Sequence, residues 1–304
     1  MKTRGQPIAR PMKSLTLILL LTVWGSIAGR YLATLLYLPF FSGTEQDLLG
    51  AISDVRNHPD LKMALYGILA GATIGGTLIS PVIYLRMCKR SISNLFGKRR
   101  LEIIPILILS LIVVAFMVVN SIFIEWNTNL EFPSFLKGFE DWSRQQENAA
   151  SELTDMLTQF HFTSEFFSAL IVLAVLPAIG EEMVFRGLIQ NELYRSTRNI
   201  HLSIWVAAAL FSAFHMQFFG FVPRLFLGAL IGYLYYWSAN LSFAIIAHFI
   251  NNGLILLTIY LYQLGVLETP KSAPTALVCV SVIVTVGLSL YFFKYFRKRG
   301  LSIT

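Results

Sequence analysis

Residues 103–119 read IIPILILSLIVVAFMVV, a run of 17 residues without one charged side chain. Such a run is long enough to cross a hydrocarbon core about 30 Å thick as a helix rising about 1.5 Å per residue. Its apolar residues are continuous and do not alternate with polar ones, which favours a helix over a barrel strand. Similar runs recur and predict an all-α, polytopic membrane bundle of about eight transmembrane helices. The predicted helices are 14–38, 62–86, 101–124, 165–194, 202–220, 222–238, 241–262 and 274–295.

The composition supports a membrane protein. Hydrophobic residues make up 55% of the 304-residue chain and charged residues only 13%. Soluble domains carry about 25% charged residues, so a long soluble domain is excluded. The chain belongs in a lipid bilayer.

The net charge of +7 could suggest a nucleic-acid partner, but the distribution of the basic residues argues against one. Most Lys and Arg residues fall in the segments before the first predicted helix, around 86–100, at 195–198 and at 294–299. Alternate segments of a helical membrane protein that are rich in Lys and Arg face the cytoplasm. The pattern therefore predicts a multi-pass protein of the cytoplasmic membrane, with both termini in the cytoplasm and no nucleic-acid partner.

The chain divides into four parts by character. Residues 1–124 contain three helices with few polar groups at membrane depth. Residues 165–296 contain the ionisable and amide side chains that lie within apolar runs. Between them, residues 125–164 carry many acids and apolar side chains at helical spacing, which predicts an extracytoplasmic amphipathic segment at the membrane interface. Residues 297–304 are predicted to form a cytoplasmic tail.

Two glutamates and an arginine lie deep in the fourth predicted helix, in the sequence Glu181-Glu182-Met-Val-Phe-Arg186. Glu182 and Arg186 are four residues apart on one helical face, with the acid nearer the N-terminus, which is the better order for an ion pair. Glu181 points about 100° away and has no evident partner on its own helix. We therefore expect a structural Glu182–Arg186 pair and a free Glu181 carboxylate that can accept and return a proton.

Two further motifs place histidines in apolar surroundings. The fifth predicted helix carries Phe211-x-x-x-His215, and the seventh carries His248-x-x-x-Asn252. Ionisable side chains inside a membrane are costly and mark functional sites. One free glutamate, two histidines and one asparagine on three helices predict a chemical site in the second half of the chain.

The order Glu-Glu-x-x-x-Arg, Phe-x-x-x-His and His-x-x-x-Asn on successive membrane helices resembles the CAAX-protease and bacteriocin-processing family of intramembrane endopeptidases. The eukaryotic prenyl-protein processing endoprotease is a member of that family. The resemblance covers residues 165–262, and all three motifs fit without a gap in their pattern. It implies a protease acting on a peptide or protein substrate at the membrane, such as a lipidated or leader peptide.

Matched position by position, the resemblance implies that Glu181 and His215 activate a water molecule. It also implies that His248 and Asn252 stabilise the oxyanion, with Glu182, Arg186 and Phe211 in support. Peptide hydrolysis needs these elements: a general base, a proton for the leaving amine, and fixed donors where negative charge develops.

A divalent metal is the alternative, since Glu181, His215 and His248 resemble the three protein ligands of a catalytic zinc ion. The compact H-E-x-x-H signature is absent from the sequence, and an Asn side chain is a poor zinc ligand. A metal-free mechanism is therefore the one we predict, with zinc as the alternative.

Two other classes of function compete with a protease. A proton-coupled transporter would also place ionisable groups in the membrane, but its repeats should put broken helices in both halves of the chain. The polar groups here cluster in one half only. A non-catalytic scaffold or immunity protein would not require the complete set of Glu181, His215, His248 and Asn252.

Overall fold

The computed structural model describes residues 11–41, 44, 50, 61–97, 101–268 and 273–298. Predictions that concern the other residues, including the tail beyond 298, lie outside the described part of the chain. The described residues are helical throughout, apart from turns and short connections, which confirms the all-α prediction. The main helices are α1 (Pro11–Tyr37), α2 (Lys62–Met87), α3 (Ile103–Thr128), α4 (Lys137–Thr158), α5 (Thr163–Thr197), α6 (Ile200–Phe214), α7 (Phe221–Ser238), α8 (Leu241–Gln263) and α9 (Thr275–Arg297).

Among the described residues, seven helices are long and apolar enough to cross a membrane. The seven are α1, α2, α3, α5, α7, α8 and α9, with α7 counted from Phe218. The prediction of a polytopic helical bundle is confirmed, and the fifth predicted helix, α6, is an apolar helix of only 15 residues. The fifth helix was predicted to run to residue 220, because the residues after its true end are still mostly apolar. The chain instead turns at Met216, whose φ of 54° lies in the left-handed region.

The first two helices pack backbone to backbone through glycines. A Cβ atom added at Gly29 would overlap the carbonyl oxygen of Gly71, and one at Gly25 would overlap that of Gly75. Ser80 Oγ donates a hydrogen bond to the carbonyl oxygen of Leu21 across the same contact. Small residues therefore allow α1 and α2 to approach closely, as expected where lipid leaves no hydrophobic driving force between helices.

This helix pair also supports the helix that carries the two glutamates. The side chain of Thr77 on α2 lies against Gly180 on α5, where any Cβ atom would overlap it. Helix α5 is not a uniform α-helix, since residues 170–175 and 183–190 adopt π-helical turns. Such turns are frequent at functional sites. Here one follows Glu182 directly.

One end of the bundle is basic. Arg90, just after α2, donates a hydrogen bond to Glu192 near the end of α5 at 3.0 Å, and Arg195 pairs with the same carboxylate. Tyr295 near the end of α9 donates to Glu102 at the start of α3. We call this end, where these residues meet, the basic end. Since α1 runs antiparallel to α2, both ends of the described chain lie there.

The opposite end is closed by α4 and its flanking residues. Lys62 at the start of α2 pairs with Glu165 on α5 at 2.7 Å, and Gln263 at the end of α8 donates to the carbonyl oxygen of Thr158 at 2.6 Å. Helix α4 is amphipathic, as predicted, and its Leu157 is buried against α2 and α5. Its other apolar side chains include Phe139 and Trp142, which remain partly exposed.

Candidate active site

The pair predicted from the first motif is present at the centre of the bundle. Arg186 Nη1 donates to Glu182 Oε1 at 2.7 Å, and both side chains are at most 1% exposed. Arg186 Nη2 donates to the carbonyl oxygen of Gly228 on α7 at 3.0 Å. A Cβ atom at Gly228 would lie 3.3 Å from that nitrogen, so the glycine keeps the carbonyl within reach of the guanidinium.

Glu182 also holds a histidine, which the sequence argument did not anticipate. His248 Nδ1 lies 2.7 Å from Glu182 Oε1, the same oxygen that accepts from Arg186. Within the described part of the chain, Glu182 Oε2 has no hydrogen-bond partner. Because a carboxylate can only accept, the Nδ1 atom of His248 must carry the proton. The other imidazole nitrogen, Nε2, can therefore form a hydrogen bond with a different group.

That second nitrogen faces the other glutamate. His248 Nε2 and Glu181 Oε2 are 3.8 Å apart, too far for a direct hydrogen bond. The Glu181 side chain is 19% exposed, whereas the Glu182 side chain is fully buried. The two neighbouring glutamates therefore differ: one is enclosed in an ion pair and the other is partly exposed.

Phe211 organises the cluster from α6. Its ring contacts the rings of His215 at 5.1 Å, His248 at 5.8 Å and Phe185 at 5.3 Å between centroids. The Arg186 guanidinium lies 4.7 Å from the same ring, in cation–π geometry. The ring therefore packs against four partners at once, two imidazoles, one phenyl ring and one guanidinium.

His215 lies one residue beyond the end of α6 and not within the helix, as the longer predicted helix had implied. Its Nδ1 atom lies 3.0 Å from the carbonyl oxygen of Phe211. That oxygen can only accept, so Nδ1 carries the proton and Nε2 is the available base. The Phe211 ring contacts both His215 and His248, which places the two imidazoles in the same cluster.

Asn252 lies one turn beyond His248 on α8. Its Nδ2 group donates to the carbonyl oxygen of Leu173 in a π-helical turn of α5 at 3.2 Å. Its Oδ1 atom accepts a hydrogen bond from Asn251 Nδ2 at 3.0 Å. These two contacts fix the carboxamide so that one N–H of Nδ2 remains available. The contacts of Asn252 are with its neighbour and with α5, and not directly with the imidazoles.

Sequence reasoning missed a polar group beside this cluster. Arg224 on α7 donates to Gln217 Oε1 through both terminal nitrogens, at 3.0 and 2.8 Å, and Gln217 follows His215 by two residues. An arginine in the first turn of an apolar helix was the available signal.

The zinc alternative would use Glu181, His215 and His248 as ligands. Across the residues described, no group of three or more His, Cys, Asp and Glu side chains converges as a metal-ligand set. The bond between His248 Nδ1 and Glu182 at 2.7 Å leaves Nε2 open, an arrangement that serves a metal-bound imidazole and an oxyanion donor equally.

The cluster has the elements of hydrolytic chemistry. It contains an accessible carboxylate, an imidazole with an available nitrogen, a second imidazole held by a buried carboxylate, and an oriented amide. If His248 is doubly protonated, it and Arg186 balance the two glutamates, so no buried charge is unmatched.

Known proteins resemble the part of the chain that forms this cluster. Residues 163–254 match the family model described as Type II CAAX prenyl endopeptidase Rce1-like. The uncharacterized protein YpbD of Bacillus subtilis (strain 168) is 31% identical over 93 residues. The match covers 29% of this chain and 44% of that protein, less than half of the relative's length. The comparison with solved structures gave no match.

The fold and the cluster define a multi-pass helical membrane protein with a buried cluster of ionisable groups. The resemblance predicted from the three motifs is confirmed, since residues 163–254 match the Rce1-like family model and contain every motif residue. At the level of the family, this supports a CAAX-type intramembrane protease.

Proposed function

We propose that this chain is an intramembrane endopeptidase that hydrolyses a peptide bond in a lipidated, leader or other membrane-associated substrate. Residues 165–296 form the catalytic core, and residues 1–124 support it from one side. The basic residues at one end favour insertion in the cytoplasmic membrane with both termini in the cytoplasm.

The reaction begins with a water molecule between Glu181 and the His215 side chain. Glu181 accepts one proton of the water, and the water oxygen attacks the carbonyl carbon of the scissile bond. His215 Nε2 accepts a hydrogen bond from the other water proton and orients the nucleophile. The new C–O bond forms as the carbonyl π electrons move to oxygen, which gives a tetrahedral oxyanion.

The oxyanion is stabilised by His248 and Asn252. His248 acts in its doubly protonated form, donating Nδ1–H to Glu182 and Nε2–H to the oxyanion. Asn252 contributes the N–H that is not bonded to Leu173. Fixed donors aimed at developing charge are commonly the largest single contribution to catalysis, about 3–4 kcal/mol for one donor.

Collapse of the intermediate completes the reaction. The carbonyl re-forms as the C–N bond breaks, and the protonated Glu181 gives its proton to the leaving amine. The second product carries a new carboxyl group, whose proton is lost to solvent. Glu181 returns to its starting state.

The observation that carries the proposal is the position of His248 between two carboxylates. Glu182 Oε1 lies 2.7 Å from its Nδ1 atom, and Glu181 Oε2 lies 3.8 Å from its Nε2 atom. A structural ion pair would need only Glu182 and Arg186. The additional imidazole, oriented by Glu182 and aimed at a partly exposed carboxylate, is the arrangement of a reaction site.

The test compares membrane fractions from cells that express the wild-type chain or Glu181→Gln, by counting new peptide termini. We expect the variant to fold normally and to lose about 10²–10⁴-fold in cleavage, because the amide cannot accept a proton from water. Glu131→Gln, an exposed site outside the cluster, is the matched control and should cleave normally. Identical termini in cells with wild-type and Glu181→Gln protein would contradict the proposed function.

A further inference from the structure

We infer that Arg224 and Gln217 are positioning residues for His215: together they hold the turn that follows α6, so that the imidazole keeps one orientation. The Nδ1 atom of His215 then stays on the carbonyl oxygen of Phe211, and Nε2 stays available to a water molecule. The use of that nitrogen in catalysis rests on the proposed function, whereas the contacts that hold the turn do not.

His215 needs this support because it lies outside the regular hydrogen bonding of α6. The helix ends at Phe214, and the amide of His215 donates to the carbonyl oxygen of Ser212 at 3.3 Å. Met216 then adopts a φ of 54°, in the left-handed region that residues with a side chain rarely enter. Such a conformation persists only where surrounding contacts determine it. The backbone that carries the imidazole therefore depends on groups outside α6.

Arg224, in the first turn of α7, supplies the contact nearest to the imidazole along this turn. Its Nη1 and Nη2 atoms both donate to Gln217 Oε1, at 3.0 and 2.8 Å. The guanidinium also lies against Gly220, where an added Cβ atom would overlap it, so the arginine folds back over the turn. Because a guanidinium holds its donors in a rigid plane, two bonds to one oxygen restrict the carboxamide more than a single flexible ammonium would.

The carboxamide of Gln217 is held at both of its ends. Its oxygen accepts from Arg224, and its Nε2 group donates to Glu147 Oε1 on α4 at 3.5 Å. A reversed amide would direct its N–H groups at the guanidinium, which can only donate, and its oxygen at a carboxylate, which can only accept. One orientation alone satisfies both neighbours, so Gln217 links α7 and α4 to the backbone beside the imidazole.

A different residue holds the far end of the turn. Asn127 on α3 accepts a hydrogen bond from Val222 N at 2.9 Å and donates to the carbonyl oxygen of Phe218 at 3.4 Å. Neither bond involves residues 215–217. Asn127→Ala is therefore a matched control, since it should loosen the start of α7 while the contact of Arg224 remains.

The orientation of His215 can be measured without any catalytic activity. Full-length protein with isotope-labelled histidine is purified in detergent, and the signals of His215 are identified by their loss in His215→Gln. At a pH where the ring is neutral, the NMR shifts of the two ring nitrogens report which one carries the proton. We expect wild-type protein to show mainly the Nδ1–H tautomer.

Arg224→Met and Gln217→Met should each shift His215 to a mixture of both tautomers. The second variant removes the same bond from a partly exposed side chain, so it carries the test if the first does not fold. Asn127→Ala should keep the wild-type tautomer despite a lower melting temperature. Arg224→Lys, which retains one donor to the carboxamide, should keep most of it.

Turnover tests whether the two residues act through His215. The substrate is a synthetic peptide that spans a terminus lost in Glu181→Gln cells. Arg224→Met and Gln217→Met should lower kcat by up to about 10²-fold with little change in KM, since a misplacement of about 1 Å can cost that much. In a His215→Gln background the same changes should have no further effect, because residues that act as a unit are not additive.

Several outcomes would overturn the inference. One is an unchanged His215 tautomer in both Arg224→Met and Gln217→Met. Another is an equal change in Asn127→Ala, since any loosening of the turn would then have the same result. Equal losses of kcat with and without His215 would also contradict it. If the tautomer changes as expected but no cleavage depends on Glu181, the proposed function fails while the positioning of the imidazole stands.

Discussion

Glu182 and Glu192 lie on the same helix, and both side chains are almost completely buried, at 0% and 1% exposure. Each carboxylate pairs with arginine, yet their surroundings differ. Glu192 uses both oxygens, which accept from Arg195 at 2.7 and 2.5 Å, and Oε1 also accepts from Arg90 and Tyr84. Glu182 uses only Oε1, and that one oxygen serves both Arg186 and His248.

The difference separates a structural ion pair from one that supports chemistry. The donors around Glu192 all bond to its carboxylate, so Glu192 holds the ends of α2 and α5 together. Around Glu182, one donor is an imidazole whose second nitrogen points away toward Glu181. Burial and an arginine partner are common to both sites. The imidazole with an unused nitrogen occurs at only one of these two.

The largest effect is expected for Glu182→Gln, which should reduce both stability and turnover. The amide cannot balance Arg186, and loss of one partner of a buried pair costs on the order of 3–5 kcal/mol. It also removes the carboxylate that orients His248, so each folded molecule should cleave about 10²-fold more slowly. Melting temperature in detergent and turnover per folded molecule measure the two effects separately.

The double variant Glu182→Gln with Arg186→Met distinguishes these contributions. Since no arginine is then left unpaired, part of the lost stability should return while turnover stays low. Full recovery of turnover in the double variant would show that Glu182 acts through Arg186 alone. Full turnover per folded molecule in the single variant would contradict its role in orienting His248.

A smaller effect is expected for Glu192→Gln. Its arginine partners, Arg90 and Arg195, are 33% and 28% exposed and can turn toward water, so the cost should be about 1–3 kcal/mol. Turnover per folded molecule should match the wild type, because Glu192 lies far from the reacting groups. A variant that folds normally but does not cleave would break the contrast between the two carboxylates.

The smallest effect is expected from chelation. If Glu181 and His215 activate water by themselves, purified protein should keep its activity after thorough treatment with a chelator, and elemental analysis should find no stoichiometric zinc. One bound zinc per chain, with activity restored only by added metal, would favour the alternative. The Glu192→Gln protein, treated in parallel, controls for loss of activity through unfolding.

The sequence predicted most of the fold because continuous apolar runs leave few alternatives to a membrane helix. It failed at the end of α6, where Phe218 and Phe219 continue the apolar pattern beyond the helix. Hydropathy cannot detect that turn, which depends on contacts from distant parts of the chain. Asn127 on α3 accepts a hydrogen bond from Val222 N, and Ser212 Oγ donates to the carbonyl oxygen of Phe221.

The candidate site was predictable in its members but not in its connections. Helical spacing alone gave the Glu182–Arg186 pair, since both residues lie on one helix. The contact of His248 with Glu182 joins residues on two helices, and one sequence contains no signal for such a pair. Arg224 with Gln217 was missed for the same reason, because the relevant partner lies across a turn that hydropathy did not reveal.

The shortness of α6 has a consequence for the surrounding lipid. Fifteen residues rise only about 22 Å, roughly 8 Å less than a typical hydrocarbon core. The remaining depth holds the turn at residues 215–217 and the short 3-10 helix Phe218–Gly220, and exposed peptide groups at that depth require protein or water around them. We therefore expect the bilayer beside α6 to be thinned or to admit water. Water, the second reactant in any hydrolysis, would then have a short route to the nitrogen atoms of His215.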